Sequence, residues 1–192
     1  EEYTNRLINA LKLLKVCEPH EKECDMGPLV SEQAACEVEN KVNQTIKQGA
    51  RCVFGGKRYN KTYFEPTVLK DVTADMDIAK DMEIFGPVVP IIEFEENDEA
   101  IKIANQTKYG LSGGVIGRDI KAALSTALKL ESGTTVVNGC GDYRTLYTPF
   151  GGHKMSGIGT EGLMLTLEEM MLTKCVALKG IVEESVSESV LR

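Results

Sequence analysis

The sequence contains no tryptophan, only two histidines (His20 and His153), and no two cysteines in a C-x-x-C spacing. Structural zinc sites need several cysteine or histidine ligands at short spacing, so we expect no metal site. The six cysteines lie at Cys17, Cys24, Cys36, Cys52, Cys140 and Cys175. Because they are scattered through a mid-sized chain, we expect reduced thiols and a cytoplasmic protein.

A long hydrophobic run and a cluster of positive charge are also missing. The longest apolar run, at residues 88–92, is interrupted by Pro90 and is far shorter than the roughly 20 residues of a membrane-spanning helix. The chain begins Glu1-Glu2-Tyr3, which predicts no secretory signal, and the missing initiator Met is expected of a fragment. A net charge of -7 with interspersed Lys and Arg disfavours phosphate backbones. We therefore expect neither a membrane nor a nucleic acid as partner.

With 192 residues, 42% of them hydrophobic, the chain can bury one substantial core. Apolar residues at helical spacing predict a helix after Ser31 that ends at Gly49 and buries Ala35, Val38, Val42 and Ile46. Further helices are predicted over residues 3–16, 98–106 and 119–131, the last burying Ile120, Ala123, Leu124, Ala127 and Leu128. Strands are predicted over residues 51–54, 63–69, 88–94, 114–117, 134–138 and 172–179. The alternation of strands and helices from residue 88 onward is typical of an α/β protein with a parallel sheet, which binds ligands in loops beyond the carboxyl ends of its strands.

Glu83 directly precedes an Ile-Phe-Gly-Pro turn and is a candidate binding residue. A carboxylate in this place can accept two charge-assisted hydrogen bonds from a vicinal diol such as ribose. Phe85 offers a flat apolar face beside it. The alternative is a surface glutamate next to a core phenylalanine, and the residues alone leave both interpretations open.

Residues 139–162 hold seven glycines and little periodicity, which predicts a long functional loop. Residues 157–162 match the G-x-G-x-x-G pattern of dinucleotide-binding proteins. That pattern requires a preceding strand and a long following helix within a βαβ unit, and here a loop precedes it. We therefore expect these glycines to allow a tight path past a catalytic centre rather than to bind phosphate.

Cys140 and Arg144 are further candidates in the same loop. Cys140 can act as a nucleophile only if a neighbouring group lowers the pKa of its thiol, and His153 is the candidate base there. The planar guanidinium of Arg144, next to Tyr143, can hold a carboxylate, phosphonate or hydroxyl group. The alternative for Arg144 is a pair with a neighbouring carboxylate at a subunit contact.

Five motifs, in the same order, resemble those of the NAD(P)-dependent aldehyde dehydrogenases. They are D-M-G-P-L-V-S at residues 25–31, Y-F-E-P-T-V at 63–68, E-I-F-G-P-V at 83–88, Y-G-L at 109–111 and P-F-G-G-H-K-M-S-G at 149–157. The chain resembles the C-terminal part of the catalytic domain, with a Rossmann-like sheet. One departure is at Ala34 and Ala35, where some members place a Gln or Lys that touches ribose.

The resemblance assigns roles by position. It implies that Glu83 binds the nicotinamide ribose of NAD or NADP, and that Phe85 positions the nicotinamide ring. Phe150 is implied to line the aldehyde pocket, and Cys140 to form part of the wall of the substrate channel. The Tyr143-Arg144 pair is similar to the lactaldehyde and phosphonoacetaldehyde branch of the family.

The same resemblance implies that the intact enzyme oxidises an aldehyde to a carboxylic acid through a cysteine thiohemiacetal and thioester. The family's nucleophilic cysteine and general-base motifs do not occur in the chain, so we expect it to be inactive alone. We expect residues 1–169 to belong to the catalytic domain, residues 170–180 to form an oligomerisation strand, and residues 181–192 to be a polar tail. Homo-oligomers, dimeric or tetrameric, are expected to form through residues 172–179, which begin at Leu172 and end at Lys179. A non-enzymatic assembly module that retains the fold is the alternative.

Overall fold

In the computed structural model, which describes residues 1–180, two of the predicted helices begin at polar side-chain caps. The Ser31 Oγ accepts a hydrogen bond from the Ala34 N–H at 3.1 Å and starts α2, and Asp119 accepts from two backbone N–H groups to start α4. The five helices are α1 (Glu2–Leu11), α2 (Glu32–Lys47), α3 (Asn97–Asn105), α4 (Ile120–Ala127) and α5 (Leu163–Glu169). Helix α1 ends before the predicted residue 16 because the Lys15 backbone bonds to Asp25 instead.

The strands form several small sheets. They are β1 (Arg51–Phe54), β2 (Arg58–Tyr59), β3 (Tyr63–Phe64), β4 (Thr67–Lys70), β5 (Val88–Pro90), β6 (Tyr109–Gly110), β7 (Ser112–Val115), β8 (Thr134–Val137) and β9 (His153–Lys154). Strand β4 lies in the centre of a three-stranded sheet, antiparallel to β1 and parallel to β5. Strands β7 and β8 pair in parallel, while β2 with β3 and β6 with β9 form short antiparallel pairs. The α/β class is confirmed, but the first predicted strand is antiparallel to its neighbour.

Two predicted strands are shorter than expected. The strand predicted over residues 63–69 is divided between β3 and β4 at Pro66, which has no N–H to donate to a sheet. The Thr67 hydroxyl donates to the Glu65 carbonyl at 2.7 Å across this break. Residues 88–94 are apolar almost throughout, which predicts a strand buried on both faces. The strand ends at Pro90 and Phe94 is 53% exposed, so that prediction is wrong there.

The main core packs α2 against the three-stranded sheet. Val38 and Val42 of α2 are buried and share a cluster with Phe64 and Leu69. The predicted fourth core position, Ile46, is 39% exposed, and Thr45 is buried instead. Its hydroxyl donates to the Lys41 carbonyl at 2.8 Å, which satisfies the buried polar group.

Strand β7, helix α4 and strand β8 form a βαβ unit with parallel strands. Helix α4 buries Ala123 and Ala127, and these small residues let the helix lie close to the strands. The prediction that Ile120, Leu124 and Leu128 are also buried is wrong for this chain, because they lie on the exposed side of the helix.

The described residues divide into two compact units. The first contains Glu1–Tyr143 and Gly151–Gly159, and the second contains Arg144–Phe150 and the residues from Thr160 onward. Residues 172–179 form no strand here, and Leu172, Val176 and Leu178 are exposed. Their predicted pairing requires a second chain and stays a prediction, and the predicted polar tail at residues 181–192 lies outside the described residues.

The prediction of six reduced thiols is wrong for two of them. A disulfide joins Cys17 and Cys24, whose Cα atoms are 5.6 Å apart, because the chain folds back on itself through a bridge between Val16 and Met26. The other four cysteines are free. Since disulfides are uncommon in reducing compartments, the cytoplasmic assignment loses its redox argument and stays a prediction. Within residues 1–180, no helix has the length and apolarity to cross a bilayer, and no three His, Cys, Asp or Glu side chains converge as a metal site.

Candidate functional site

The turn that follows Glu83 is attached to the core on both sides. On the sheet side, the Thr67 N–H donates to the Pro87 carbonyl at 2.8 Å, directly before β5 begins. On the helix side, the Lys41 ammonium of α2 donates to the Glu83 carbonyl oxygen at 2.6 Å. Gly86 lies directly against Val38, so close that a Cβ atom there would be 2.7 Å from the Val38 Cγ2. The core therefore holds the backbone of this turn, with Ile84 packed against it, while the side chains of Glu83 and Phe85 stay exposed.

Phe85 stands out from this turn. Its φ angle is +53°, a left-handed conformation that a non-glycine residue rarely adopts, and its ring is 76% exposed. Such strain is typical of functional sites, where the surrounding structure holds the residue in place. The alternative interpretation, that Phe85 is a core residue, is wrong.

The Glu83 carboxylate is exposed and forms no hydrogen bond or ion pair within residues 1–180. A free carboxylate can accept both hydroxyl groups of a ribose diol, and the exposed ring two residues later can lie against a planar base. These two residues therefore fit the sugar and ring of a nicotinamide cofactor.

Helix α2 contributes to this turn through Lys41 rather than through the positions that the resemblance pointed to. Ala35 is fully buried, and Ala34 takes part only in the cap of the helix through its N–H. Lys41 was not a predicted site residue, because it lies 42 residues from Glu83 along the chain. The only feature of the sequence that could have indicated this role was the position of Lys41 between the buried Val38 and Val42.

The loop after β8 places Cys140 next to an acid rather than a base. The Cys140 thiol donates to Asp142 Oδ1 at 2.6 Å, and both this hydrogen bond and the negative charge of Asp142 raise the pKa of Cys140. His153 lies in β9, and among the described residues no hydrogen bond joins it to Cys140. A raised thiol pKa argues against Cys140 as a nucleophile. Tyr143, close by, is 62% exposed.

The glycine-rich match at residues 157–162 lacks the context of a dinucleotide site. The preceding strand, β9, has two residues and is antiparallel to β6. The following helix, α5, has seven residues and begins directly after Gly162. A parallel βαβ unit is not formed around this match, so we assign it no phosphate.

In the second unit, Arg144 lies over the ring of Phe150, with the guanidinium carbon 4.1 Å from the ring centroid. Its Nη2 also contacts Glu161 Oε2 at 2.5 Å. The alternative for Arg144, a pair with a neighbouring carboxylate, is thus observed within one chain. Glu161 was missed as a site residue, although it lies inside the glycine-rich match. Arg144 and Glu161 border a surface pocket of about 520 Å³.

Comparison with known proteins shows which family shares these features. Residues 1–176 match the aldehyde dehydrogenase family. The chain is 38% identical to a lactaldehyde dehydrogenase of Methanococcus maripaludis over 181 residues. This matched region covers 94% of this chain and 38% of that protein. Among solved structures, a glyceraldehyde-3-phosphate dehydrogenase from Methanocaldococcus jannaschii complexed with NADP superposes with a TM-score of 0.83 at 40% identity, over 88% of this chain and 36% of that one. A betaine aldehyde dehydrogenase from Staphylococcus aureus in complex with NAD+ gives a TM-score of 0.83 at 35% identity, over 90% of this chain and 36% of that one.

Proposed function

Because this chain belongs to the aldehyde dehydrogenase family, we propose that it supplies part of the cofactor and substrate sites of an enzyme that oxidises an aldehyde to a carboxylic acid. The cofactor is NAD or NADP. The chain spans a little over a third of the length of the relatives it matches, so the complete reaction needs residues beyond these 192.

The observation that carries this proposal is the exposed pair of Glu83 and Phe85 on a turn whose backbone is fixed by contacts with the core. The Glu83 carboxylate holds the two hydroxyl groups of the nicotinamide ribose, and the Phe85 ring lies against the nicotinamide. Lys41 and Gly86 fix the backbone between them against α2. A binding group that is already in place loses little conformational entropy when the ligand arrives. When bound, the cofactor accepts a hydride from the substrate.

The loop around residue 140 and the second unit supply the substrate side. Cys140 and Tyr143 form part of the channel wall, and Phe150 provides an apolar surface for the aldehyde. Arg144 binds a polar or anionic substituent of the substrate through its guanidinium. The names of the relatives, lactaldehyde and glyceraldehyde-3-phosphate dehydrogenase, agree with a small hydroxyaldehyde as substrate.

Catalysis itself depends on groups that the 192 residues do not provide. In this family, a cysteine thiolate attacks the aldehyde and a glutamate activates water to release the acid. The raised pKa of Cys140 keeps its thiol protonated at neutral pH. We therefore expect this chain alone not to turn over aldehyde.

Substitution of Glu83 by Gln in the complete enzyme tests the cofactor assignment. The amide keeps the size of the side chain but loses a charged acceptor, which costs about 1.5–3 kcal/mol of binding. Single-turnover hydride transfer and NAD affinity are both measured, and we expect transfer to slow by about ten-fold or more. Glu95→Gln, the same change at another exposed glutamate, is the control and is expected to leave both unchanged. Unaltered transfer and affinity in the Glu83 variant contradict the assignment.

We also propose that residues 172–179 pair with a second copy of the chain in a homo-oligomer. Leu172, Val176 and Leu178 are 97%, 69% and 77% exposed, and these apolar side chains gain by burial in an interface. Charged substitutions at Val176 and Leu178 are expected to lower the oligomeric mass measured by light scattering. A mass that stays the same rejects this segment as the interface.

A further inference from the structure

The surface pocket of the second unit combines one guanidinium with several hydroxyl groups. Arg144 lies on one side, and the hydroxyl residues that border the pocket are Thr145, Thr148 and Thr166. Leu146 and Leu163 complete its apolar part. Hydroxyl groups and a guanidinium are the side chains that hold carboxylate and phosphate oxygens in proteins. The pocket thus has the chemistry of a site for a small anion attached to an apolar stem.

The guanidinium of Arg144 is only partly used. The Phe150 ring, whose centroid lies 4.1 Å from the guanidinium carbon, has no oxygen or nitrogen acceptor, so this contact leaves the N–H donors to other partners. Of the five N–H donors, one on Nη2 bonds to Glu161, and no other acceptor for Arg144 is present within residues 1–180. The remaining donors can bind a second anion, and that anion can also replace the Glu161 carboxylate.

Glu161 is held beside Arg144 by its backbone, independently of the ion pair. The Phe150 N–H donates to the Glu161 carbonyl at 2.8 Å, and the Glu161 N–H donates to the Phe150 carbonyl at 2.7 Å. The Glu161 side chain can therefore move away from Arg144 without a change in the chain path. The two side chains are 75% and 50% exposed, and an ion pair that exposed contributes little stability. A better ligand can displace it.

We propose that Glu161 determines substrate specificity by occupying the anion site of Arg144 until an aldehyde with a carboxylate, phosphonate or phosphate group displaces it. The displaced carboxylate swings into solvent, and the substrate anion takes the freed N–H groups together with the threonine hydroxyls. A neutral aldehyde leaves the Arg144–Glu161 pair intact. This inference rests on the proposed role of Arg144 in the substrate site and adds the class of substrate and the competing group.

The test compares glyceraldehyde 3-phosphate with glyceraldehyde, which has the same carbon skeleton without the charge, in the complete enzyme. In Glu161→Gln, loss of the competitor is expected to raise kcat/KM for the phosphate about two- to five-fold through KM, the range for an exposed ion pair. The value for glyceraldehyde is expected to stay the same. Arg144→Gln is expected to lower the value for the phosphate about ten-fold or more. Arg144→Lys, which keeps the charge without the planar guanidinium, is expected to retain only part of the kcat/KM for the phosphate.

Glu168→Gln is the matched control, since it removes one negative charge from an exposed glutamate of the same unit that does not border this pocket. Equal gains in Glu161→Gln and Glu168→Gln, or no gain in either, overturn the inference, because removal of charge in general then explains the effect.

A binding measurement separates this inference from the proposed function. Calorimetric titration with 3-phosphoglycerate and glycerate needs no turnover. Tighter binding of 3-phosphoglycerate to Glu161→Gln than to the unaltered protein supports the anion site even if no aldehyde is oxidised. Equal binding to both overturns it, while aldehyde oxidation and the role of Glu83 still stand.

Discussion

Replacement of Gly86 by alanine is the most direct test of how the core holds the candidate cofactor turn. A Cβ atom at this position would lie 2.7 Å from Cγ2 and 2.9 Å from Cγ1 of Val38. Favourable contacts between carbon atoms are about 3.5–4.0 Å, so both distances are about 0.6–0.8 Å too short. Val38 is 1% exposed and cannot move into solvent to relieve the overlap.

The overlap has a calculable cost. One methyl group too many in a packed core destabilises a protein by about 1–3 kcal/mol, because side chains leave their rotamers or the backbone shifts. With an m-value of about 2 kcal/mol/M in urea, the midpoint of unfolding is expected to fall by about 0.5–1.5 M. If the turn moves instead of the helix, the Lys41 bond to the Glu83 carbonyl lengthens and cofactor binding weakens as well.

Two further variants make this measurement specific. Gly117→Ala is the matched control, since a Cβ there meets Ala123 at an ordinary 3.5 Å and should change the midpoint little. Val38→Ala removes both methyl groups of the overlap, so the double variant should lose less stability than the sum of the single changes. Equal midpoints for Gly86→Ala and Gly117→Ala, or strict additivity in the double variant, refute the packing argument.

Three further predictions follow from titrating groups. Asp142→Asn removes the acceptor that raises the pKa of Cys140, so alkylation of this thiol at neutral pH should become faster, as read by mass spectrometry of the labelled peptide; an unchanged rate contradicts the Cys140–Asp142 contact. Tyr63 donates to Glu18 at 2.6 Å, which raises the pKa of the phenol to about 12. The stability from this bond is present below the unfolded pKa of about 10 and is lost as the pH rises to 12. Glu18→Gln should therefore lower the pKa of one tyrosine in a titration followed at 295 nm, and reduction of the neighbouring disulfide should do the same. If none of the six tyrosines shifts, the Tyr63–Glu18 bond is contradicted. Asp81 accepts from the Lys108 backbone N–H at 2.9 Å, which lowers its pKa, so its contribution to stability is present above about pH 3.9 and is lost as the pH falls through the lowered value. Asp81→Asn should make stability less dependent on pH in that acid range, and an identical acid profile would contradict this.

Much of the candidate site followed from local patterns. The Ile-Phe-Gly-Pro turn after Glu83 indicated a place where a carboxylate and an aromatic ring lie close together, because turn geometry depends on a few adjacent residues. Whether Phe85 pointed into the core or into solvent could not be predicted, since that depends on how the turn meets α2. The structure decided it through the fit of Gly86 against Val38.

The same division applies to the charged groups of the loops. The sequence presented Arg144 with two possible partners, a substrate or a carboxylate, and no local rule chooses between them. Glu161 lies 17 residues away and reaches Arg144 only because the chain pairs it with Phe150. Cys140 is another example, since the obvious candidate was His153, whereas its observed partner is Asp142.

Local patterns in the sequence were enough to predict the helix starts at Ser31 and Asp119, the α/β class, and membership of a family whose motifs occur here in order. These features depend on hydrogen bonds and apolar spacing within a few residues of one another. Three other features could be known only from the folded chain: Lys41 donates to the Glu83 carbonyl, Cys17 joins Cys24, and α4 leaves its larger apolar residues exposed. Such contacts depend on the path of the chain between distant residues, and that path is set by the packing of the whole core.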